Sequence, residues 1–388
     1  MNQTREFDIV VFGATGFTGR LVAEHLLQKH GLGGEVAWAM GGQFEADLVE
    51  ARDAIGAPED TPFVIADAKD PVSLREMVAR TKAVITTVGP YRLYGSDLVA
   101  ACAESGTDYL DLSGESHWMR RMIDEHEARA KESGARILFA CGFDSIPSDT
   151  GVWFCQDTAR TALGAPVPRV KGRVRAFKGG VSGGSIASMK STAEALEDDP
   201  SLAEVVNSPF GLTPGFEGPA QPSGAVPTTD PDVGAVVPFM LGVVDTQVVH
   251  RSNLLLEHAY GRGFVYDEMM VAGEEPGDED GPGASPDADA PSPAAPKPGE
   301  GPQDRQAGYF DLLLIGIAPD GRQVRVSVKG DEDPGYGSTP RMIAESAICL
   351  VTEADAVPGG FWTPAAALQG RLVERLQRYA GLTFAVEG

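Results

Sequence analysis

Basic residues are scarce in this chain. Its 388 residues include 32 Lys and Arg against 56 Asp and Glu, a formal net charge of −24. That balance excludes the positive footprint needed to hold a phosphate backbone, so no nucleic-acid partner is expected. Cysteine is nearly absent. Cys102, Cys141, Cys155 and Cys349 form no CxxC pair and read as reduced, buried thiols rather than a disulfide framework. The six histidines show no HExxH or comparable spacing, so no metal is expected. No run is long enough to cross a bilayer. The notable apolar stretch Ala235 to Val244 is too short and carries Pro238, which leaves only peripheral membrane contact open. The N-terminus enters a strand directly, with no cleavable targeting signature, and there is no internal repeat. The charge balance is compatible with a soluble cytoplasmic enzyme, and 388 residues predict two domains.

Glycine, by contrast, is abundant at 47 residues, and its placement near the N-terminus is informative. Phe7 to Arg20 reads FDIVVFGATGFTGR: an apolar strand, a turn with Gly13, Gly16 and Gly19 at three-residue spacing, then helix formers. Glycines at such a turn admit a sharp bend and close backbone approach, and the helix N-terminus offers free N–H groups to a pyrophosphate. The spacing is GxxGxxG rather than the commoner GxGxxG. Gly13, Thr15, Gly16, Phe17, Thr18 and Gly19 are therefore expected to cradle a nicotinamide dinucleotide.

The first 150 residues alternate strands and helices, which predicts an α/β fold with a doubly wound parallel sheet of Rossmann type. Ligands bind such sheets beyond the carboxyl ends of the strands. Small or polar turns stand there: Gly41-Gly42-Gln43, Asp67-Ala68, Gly89-Pro90-Tyr91, Ser113-Gly114-Glu115 and Gly142 to Ser145. Residues 151 to 340 read as a second α+β domain, and helices in 340 to 388 are expected to pack back on the first. In the second half, Arg169 to Phe177 reads as a strand. Gly179 to Ser185 reads as a glycine-rich loop opening a helix at Ile186. Residues 197 to 235 read as loop, and 236 to 272 as helices and loops. Phe310 to Ile317 and Gln323 to Lys329 read as a hairpin. Gly273 to Gln306 holds nine carboxylates and no large apolar residue, so a disordered surface insertion is expected.

Several motifs in order carry a family resemblance: GATGFTGR, TVGPY (Thr87 to Tyr91), YLDLSGE (Tyr109 to Glu115), CGFDSIPSD (Cys141 to Asp149), SGGSIAS (Ser182 to Ser188) and DPGYGSTPRMIAESA (Asp333 to Ala347). The chain resembles the saccharopine dehydrogenase-like oxidoreductases, within them the actinobacterial trans-acting enoyl reductase branch. The resemblance implies a Rossmann domain with a second α+β domain, often dimerising, and NADP(H)-type redox chemistry. It also implies an acyl substrate, free or carrier-bound, and a polyketide synthase partner in lipid synthesis. One departure stands out. After the second strand such relatives usually carry alanine-glycine-arginine, the arginine suiting the NADPH 2′-phosphate. Here the segment is Ala39 to Glu45, with neutral Gln43, while Glu45 and Asp47 lie close by. Carboxylates favour a free 2′-hydroxyl, so the expected cofactor is NADP or NAD with selectivity shifted toward NAD.

For the chemistry, Tyr91, Glu115 and Asp144 stand at strand ends as candidate acid/base groups. Each has a structural alternative: packing for Tyr91, helix capping for Glu115 and Asp144. Gly42, Gln43, Asp67, Ala68, Gly89, Pro90 and Tyr91 join the glycine turn as expected cofactor contacts. Gly183, Gly184 and Ser185 are expected to meet the substrate. There is no YxxxK pair after strand four, which sets the chain apart from ordinary short-chain dehydrogenases. Two alternatives to an enoyl reductase stay open. One is a nucleotide- or lipid-binding protein without turnover. The other is a saccharopine-type amino-acid dehydrogenase, which needs cations for substrate carboxylates; Arg169, Arg173 and Arg175 are the convergent arginines.

Overall fold

A computed structural model describes residues 5–179, 182–273 and 305–388. The N-terminal half alternates as expected. Its strands are β1 (Phe7–Phe12), β2 (Trp38–Gly42), β3 (Phe63–Ile65), β4 (Thr81–Thr86), β5 (Asp108–Leu110) and β6 (Arg136–Leu138). The helices between and after them are α1 (Phe17–His30), α2 (Glu45–Ala54), α3 (Pro71–Arg80), the single turn α4 (Tyr91–Tyr94), α5 (Ser96–Ser105) and α6 (Ser116–Ser133). Ile9, Val10 and Val11 are wholly buried because β1 is central in a parallel sheet covered on both faces. Asp70 caps α3 by accepting from Val72 N at 3.0 Å, with Pro71 at the first helical position.

The rest of the chain supplies α7 (Ile146–Leu163), β7 (Arg169–Lys178), α8 (Gly183–Asp198), α9 (Ala203–Asn207), β8 (Thr228–Asp230), β9 (Gly234–Pro238), α10 (Gly242–Leu255), β10 (Val265–Val271), β11 (Tyr309–Ile317), β12 (Gln323–Gly330), α11 (Thr339–Glu353), β13 (Gly360–Trp362), α12 (Pro364–Tyr379) and β14 (Leu382–Glu387). The first sheet runs β13-β6-β5-β4-β1-β2-β3, all parallel, which is the Rossmann order with one strand added at an edge. Phe12 pairs with both Gly41 and Thr86, so β1, β2 and β4 end at one level beside the point where strand order reverses. The second sheet runs β14-β12-β11-β7-β10-β9-β8, with β7 and β10 parallel and the other pairs antiparallel. Helices α7, α10 and α12 pack on it. The segment from α11 onward serves both sheets: α11 lies on α1, β1 and β4, while β13 joins the first sheet and β14 the second.

Some expectations are corrected. Residues 236 to 272 hold two strands, because Ala235 to Val244 forms most of β9 and the start of α10 rather than a free apolar surface. Strand β2 runs to Gly42, so Gly41 and Gly42 lie inside the sheet rather than in the turn expected after it. Helix α7 starts where the capping reading of Asp144 put a helix, but Ser145 holds the cap position and makes no side-chain cap bond; its buried face is Val152, Cys155 and Ala159. Of the acidic insertion, 274–304 lies outside the described residues, but Arg305 and Gln306 belong to a short 3₁₀ turn anchored by Arg305 to Glu24 at 3.0 Å. All four cysteines are buried and unpaired.

Candidate functional site

The glycine turn is built to bring backbone close to a ligand. Gly13 has φ +91° and its N–H donates to Gly41 O at 3.0 Å, locking the turn to β2. A Cβ on Gly13 would lie 2.8 Å from Thr87 Oγ1, and one on Gly19 would lie 2.1 Å from Gly13 O. Helix α1 can therefore start directly against the turn. Gly16 is exposed, caps α1 without a side chain, and no carboxylate stands in the first helical turn. These features fit a dinucleotide pyrophosphate. Thr15 packs near Gly42, where an added Cβ would meet its Cγ2 at 3.2 Å. At the tips of β2 and β3, Gln43 Nε2 donates to Asp67 Oδ2 at 2.7 Å, and Ala68 follows. The nearby cation Arg52 is occupied by Asp53 at 2.7 Å and lies over the Phe63 ring.

A cavity of about 430 Å³ opens from this crevice and runs between the two sheets. It brings together Thr18, Gly89, Tyr91, Glu115, Asp144, Gly184 and Ser185 of the expected residues. Gly13, Thr15, Gly16, Phe17, Gly19, Gly42, Gln43, Asp67, Ala68, Pro90 and Gly183 do not line it; they lie in the glycine turn, at the tips of β2 and β3 or behind the cavity wall. The far wall is apolar: Phe143, Phe177, Phe239, Leu241, Val244 and Met270. Met189, Met240 and Val243 also line it while staying exposed, so the apolar wall opens to solvent. Sequence reading missed this wall. Its one signal was the apolar run at 235 to 244.

The three candidate acid/base groups differ sharply. Tyr91 is buried against Trp118, and its hydroxyl donates to Thr86 O at 3.2 Å and accepts from Leu112 N at 3.1 Å. Burial first, then the charge of Asp111, pushes the phenol well up. Glu115 is buried, and both its oxygens are engaged. Oε1 accepts from Tyr91 N at 2.7 Å and Ser188 Oγ at 2.8 Å, and Oε2 from Arg92 N at 2.9 Å. It thus caps α4, 24 residues back in sequence, and not the helix it precedes. Asp144 is half-buried, and among the described residues no group donates to its carboxylate. Burial pushes it up to about 6.

Gly183, Gly184 and Ser185 form the first turn of α8 instead of a loop. Ser182 caps it, accepting from Ser185 N at 3.0 Å, and Gly183 N donates to Tyr336 Oη at 2.9 Å. Lys190 points to solvent beside Glu194. Thr339 Oγ1 accepts from Phe143 N at 3.0 Å, so the start of α11 fixes the loop that carries Asp144. The arginines suited to a substrate carboxylate are all spent within the second sheet. Arg169 pairs with Asp267, Arg173 with Asp230 and Asp267, and Arg175 with Asp311 and Glu387.

A Rossmann sheet, a glycine cradle and a deep cavity beside it define a nicotinamide-dependent oxidoreductase. The sequence profile of the saccharopine dehydrogenase NADP binding domain matches residues 9–138. Rv2449c of Mycobacterium tuberculosis, provisionally named a trans-acting enoyl reductase, is 37% identical over 96% of each chain. The trans-acting enoyl reductase of Mycobacterium ulcerans is 35% identical, also over 96% of each. The chain belongs to the saccharopine dehydrogenase-like family, in the branch of the trans-acting enoyl reductases. The fold agrees with apo saccharopine dehydrogenase (L-Glu forming) from Saccharomyces cerevisiae, which is 11% identical with a TM-score of 0.55 over 98% of this chain and all of that one. No described helix is long and apolar enough to cross a membrane.

Proposed function

We propose that this protein reduces the double bond of an enoyl thioester whose acyl chain lies along the apolar wall, with Asp144 as proton donor. The observation carrying this reading is the placement of a carboxyl group that accepts no described hydrogen bond, raised to about 6 by burial, between the glycine crevice and an apolar wall open to solvent. A chain delivered on a carrier can enter through such a mouth, which fits a polyketide synthase as partner; a homodimer as the working unit rests on the family resemblance alone. The dinucleotide, when bound, supplies a hydride for the β-carbon. Thr15, Gly16, Thr18 and Gly19 hold its pyrophosphate, and Gln43 with Asp67 meets its adenosine ribose. With no cation at that point, we infer a preference for NADH. Tyr91 and Glu115 act as positioning residues, because their polar atoms are taken up in holding α4 and α8. Asp144 protonates the α-carbon.

The test is oxidation of NADH and NADPH with a panel of enoyl thioesters. Asp144→Asn is expected to lower kcat by roughly 100-fold or more, with dinucleotide affinity unchanged. Dinucleotide binding without oxidation on any thioester would favour a binding protein instead.

A further inference from the structure

Histidine spacing shows no metal signature, yet the fold gathers two of the six histidines at one point. His25 lies within α1 and His30 ends it five positions on, so neither an i,i+3 nor an i,i+4 step sets them side by side. Glu345 of α11 completes the group. Its Oε1 lies 2.7 Å from His25 Nε2 and 2.8 Å from His30 Nε2. The candidate ligand atoms of the three residues all lie within 4.8 Å of one another. The three side chains are closed off from solvent, at 5%, 4% and 0% exposure. No other three histidine, cysteine or carboxylate side chains among the described residues converge in this way.

The surrounding groups hold these three as metal ligands are held. His30 Nδ1 faces Glu35 Oε2 at 3.4 Å, and Arg375 Nε donates to Glu345 Oε2 at 2.9 Å. A metal-binding imidazole commonly gives its other N–H to a carboxylate, which fixes the ring and turns its free lone pair toward the ion. A neutral imidazole has only one N–H to give. With that N–H on Glu35, His30 sets a lone pair against the Glu345 oxygen, and a cation between them turns repulsion into attraction. The local charge balance favours one. Glu35, Glu345 and Glu353 share the single guanidinium of Arg375, while Arg341, one turn before Glu345 on α11, is paired with Asp331 and Glu332. We propose that His25, His30 and Glu345 bind one divalent transition-metal ion, zinc by donor type, which pins the end of α1 to α11. Two imidazole nitrogens and a carboxylate oxygen suit zinc, with water as the fourth ligand. Zinc bonds of about 2.0–2.2 Å at tetrahedral angles set ligand atoms roughly 3.4 Å apart, so Oε1 must withdraw by roughly 0.7 Å, within reach of its side-chain torsions. Partly exposed Glu35 and Glu353 lead an ion in from solvent.

The test uses the full-length protein, stripped with a chelator and then titrated with zinc at neutral pH. Neither dinucleotide nor thioester is present, so the outcome does not depend on the proposed reduction. Calorimetry should show one tight site, and Tm should rise with zinc concentration because only the folded chain assembles the three ligands. Cobalt in place of zinc should give the visible absorption of a tetrahedral site. His25→Gln, His30→Gln and Glu345→Gln should each weaken zinc binding by about 100-fold or more. Glu35→Gln, at a partly exposed position, should weaken it about tenfold by releasing His30 Nδ1. His30→Gln changes only the last residue of α1, so it keeps the test open should the more deeply buried Glu345→Gln fail to fold. No zinc uptake by wild type at micromolar concentration overturns the proposal and leaves the three residues as a hydrogen-bonded cluster. Uptake at wild-type affinity in both histidine variants overturns it as well, by placing the ion elsewhere.

Discussion

Gly19 and Gln43 show how single positions set cofactor binding. Gly19 has no room for even a methyl group, since its Cβ would overlap the Gly13 carbonyl. Gly19→Ala must push α1 away from the turn. It is expected to cost about 1–3 kcal/mol of stability and to abolish dinucleotide binding, read by thermal melts and fluorescence titration. At Gln43 the hydrogen bond to Asp67 leaves a neutral side chain at the ribose end of the proposed site. Gln43→Arg should raise NADPH affinity about tenfold while leaving NADH binding nearly unchanged. An unaltered NADPH to NADH ratio in the same titration would place the adenosine ribose elsewhere.

At the scale of elements, Glu115 ties three helices together. It begins α6, caps α4 through Tyr91 N and Arg92 N, and receives Ser188 Oγ from α8. A buried carboxylate with three donors stabilises by their charge-assisted bonds, and its loss leaves those donors unsatisfied. Glu115→Ala is expected to lose about 2–4 kcal/mol in denaturant unfolding and to raise the substrate KM, because α8 forms one side of the cavity. Glu115→Gln should lose less, since one amide oxygen still accepts. A catalytic acid would behave oppositely: the Gln variant would be folded, stable and inactive.

Across the whole molecule, Glu345 of α11 joins the N-terminal and C-terminal segments. Its Oε1 takes His25 Nε2 at 2.7 Å and His30 Nε2 at 2.8 Å from α1, and its Oε2 takes Arg375 Nε at 2.9 Å from α12. His25, His30 and Glu345 could also ligate a metal by their proximity, a grouping from residues 320 apart that no sequence spacing displays. Burial pushes the Glu345 carboxyl up, but the bonds from His25 and His30 outweigh this and hold it at about 2. A carboxyl depressed in the folded state contributes stability that is present above about 4.5 and lost as pH falls toward 2. Glu345→Gln should lower Tm at pH 7, and its gap from wild type should close between those two values. A gap independent of pH would show that the network adds no ion-pair stability.

What the amino-acid order determined alone is local. The buried strand Phe7–Phe12, the glycines at 13, 16 and 19 and the alternation through residue 138 follow from side-chain period and backbone sterics within a few residues, so the Rossmann sheet was legible. The family motifs added the expectation of a dinucleotide. Tertiary structure decided what requires distant segments to meet. Glu115 was expected to cap the helix it starts, which it does not; its partners on α4 and α8 were not legible, because hydrogen bonds across 23 to 73 residues leave no periodic trace. Asp144 stood among several polar strand-end residues. Only packing distinguishes it, by desolvating its carboxyl group without supplying a donor. The cavity wall joins Phe143, Phe177, Phe239 and Met270 from separate elements. Burial and proximity are properties of the folded chain, and they set which of its many carboxylates keep a proton.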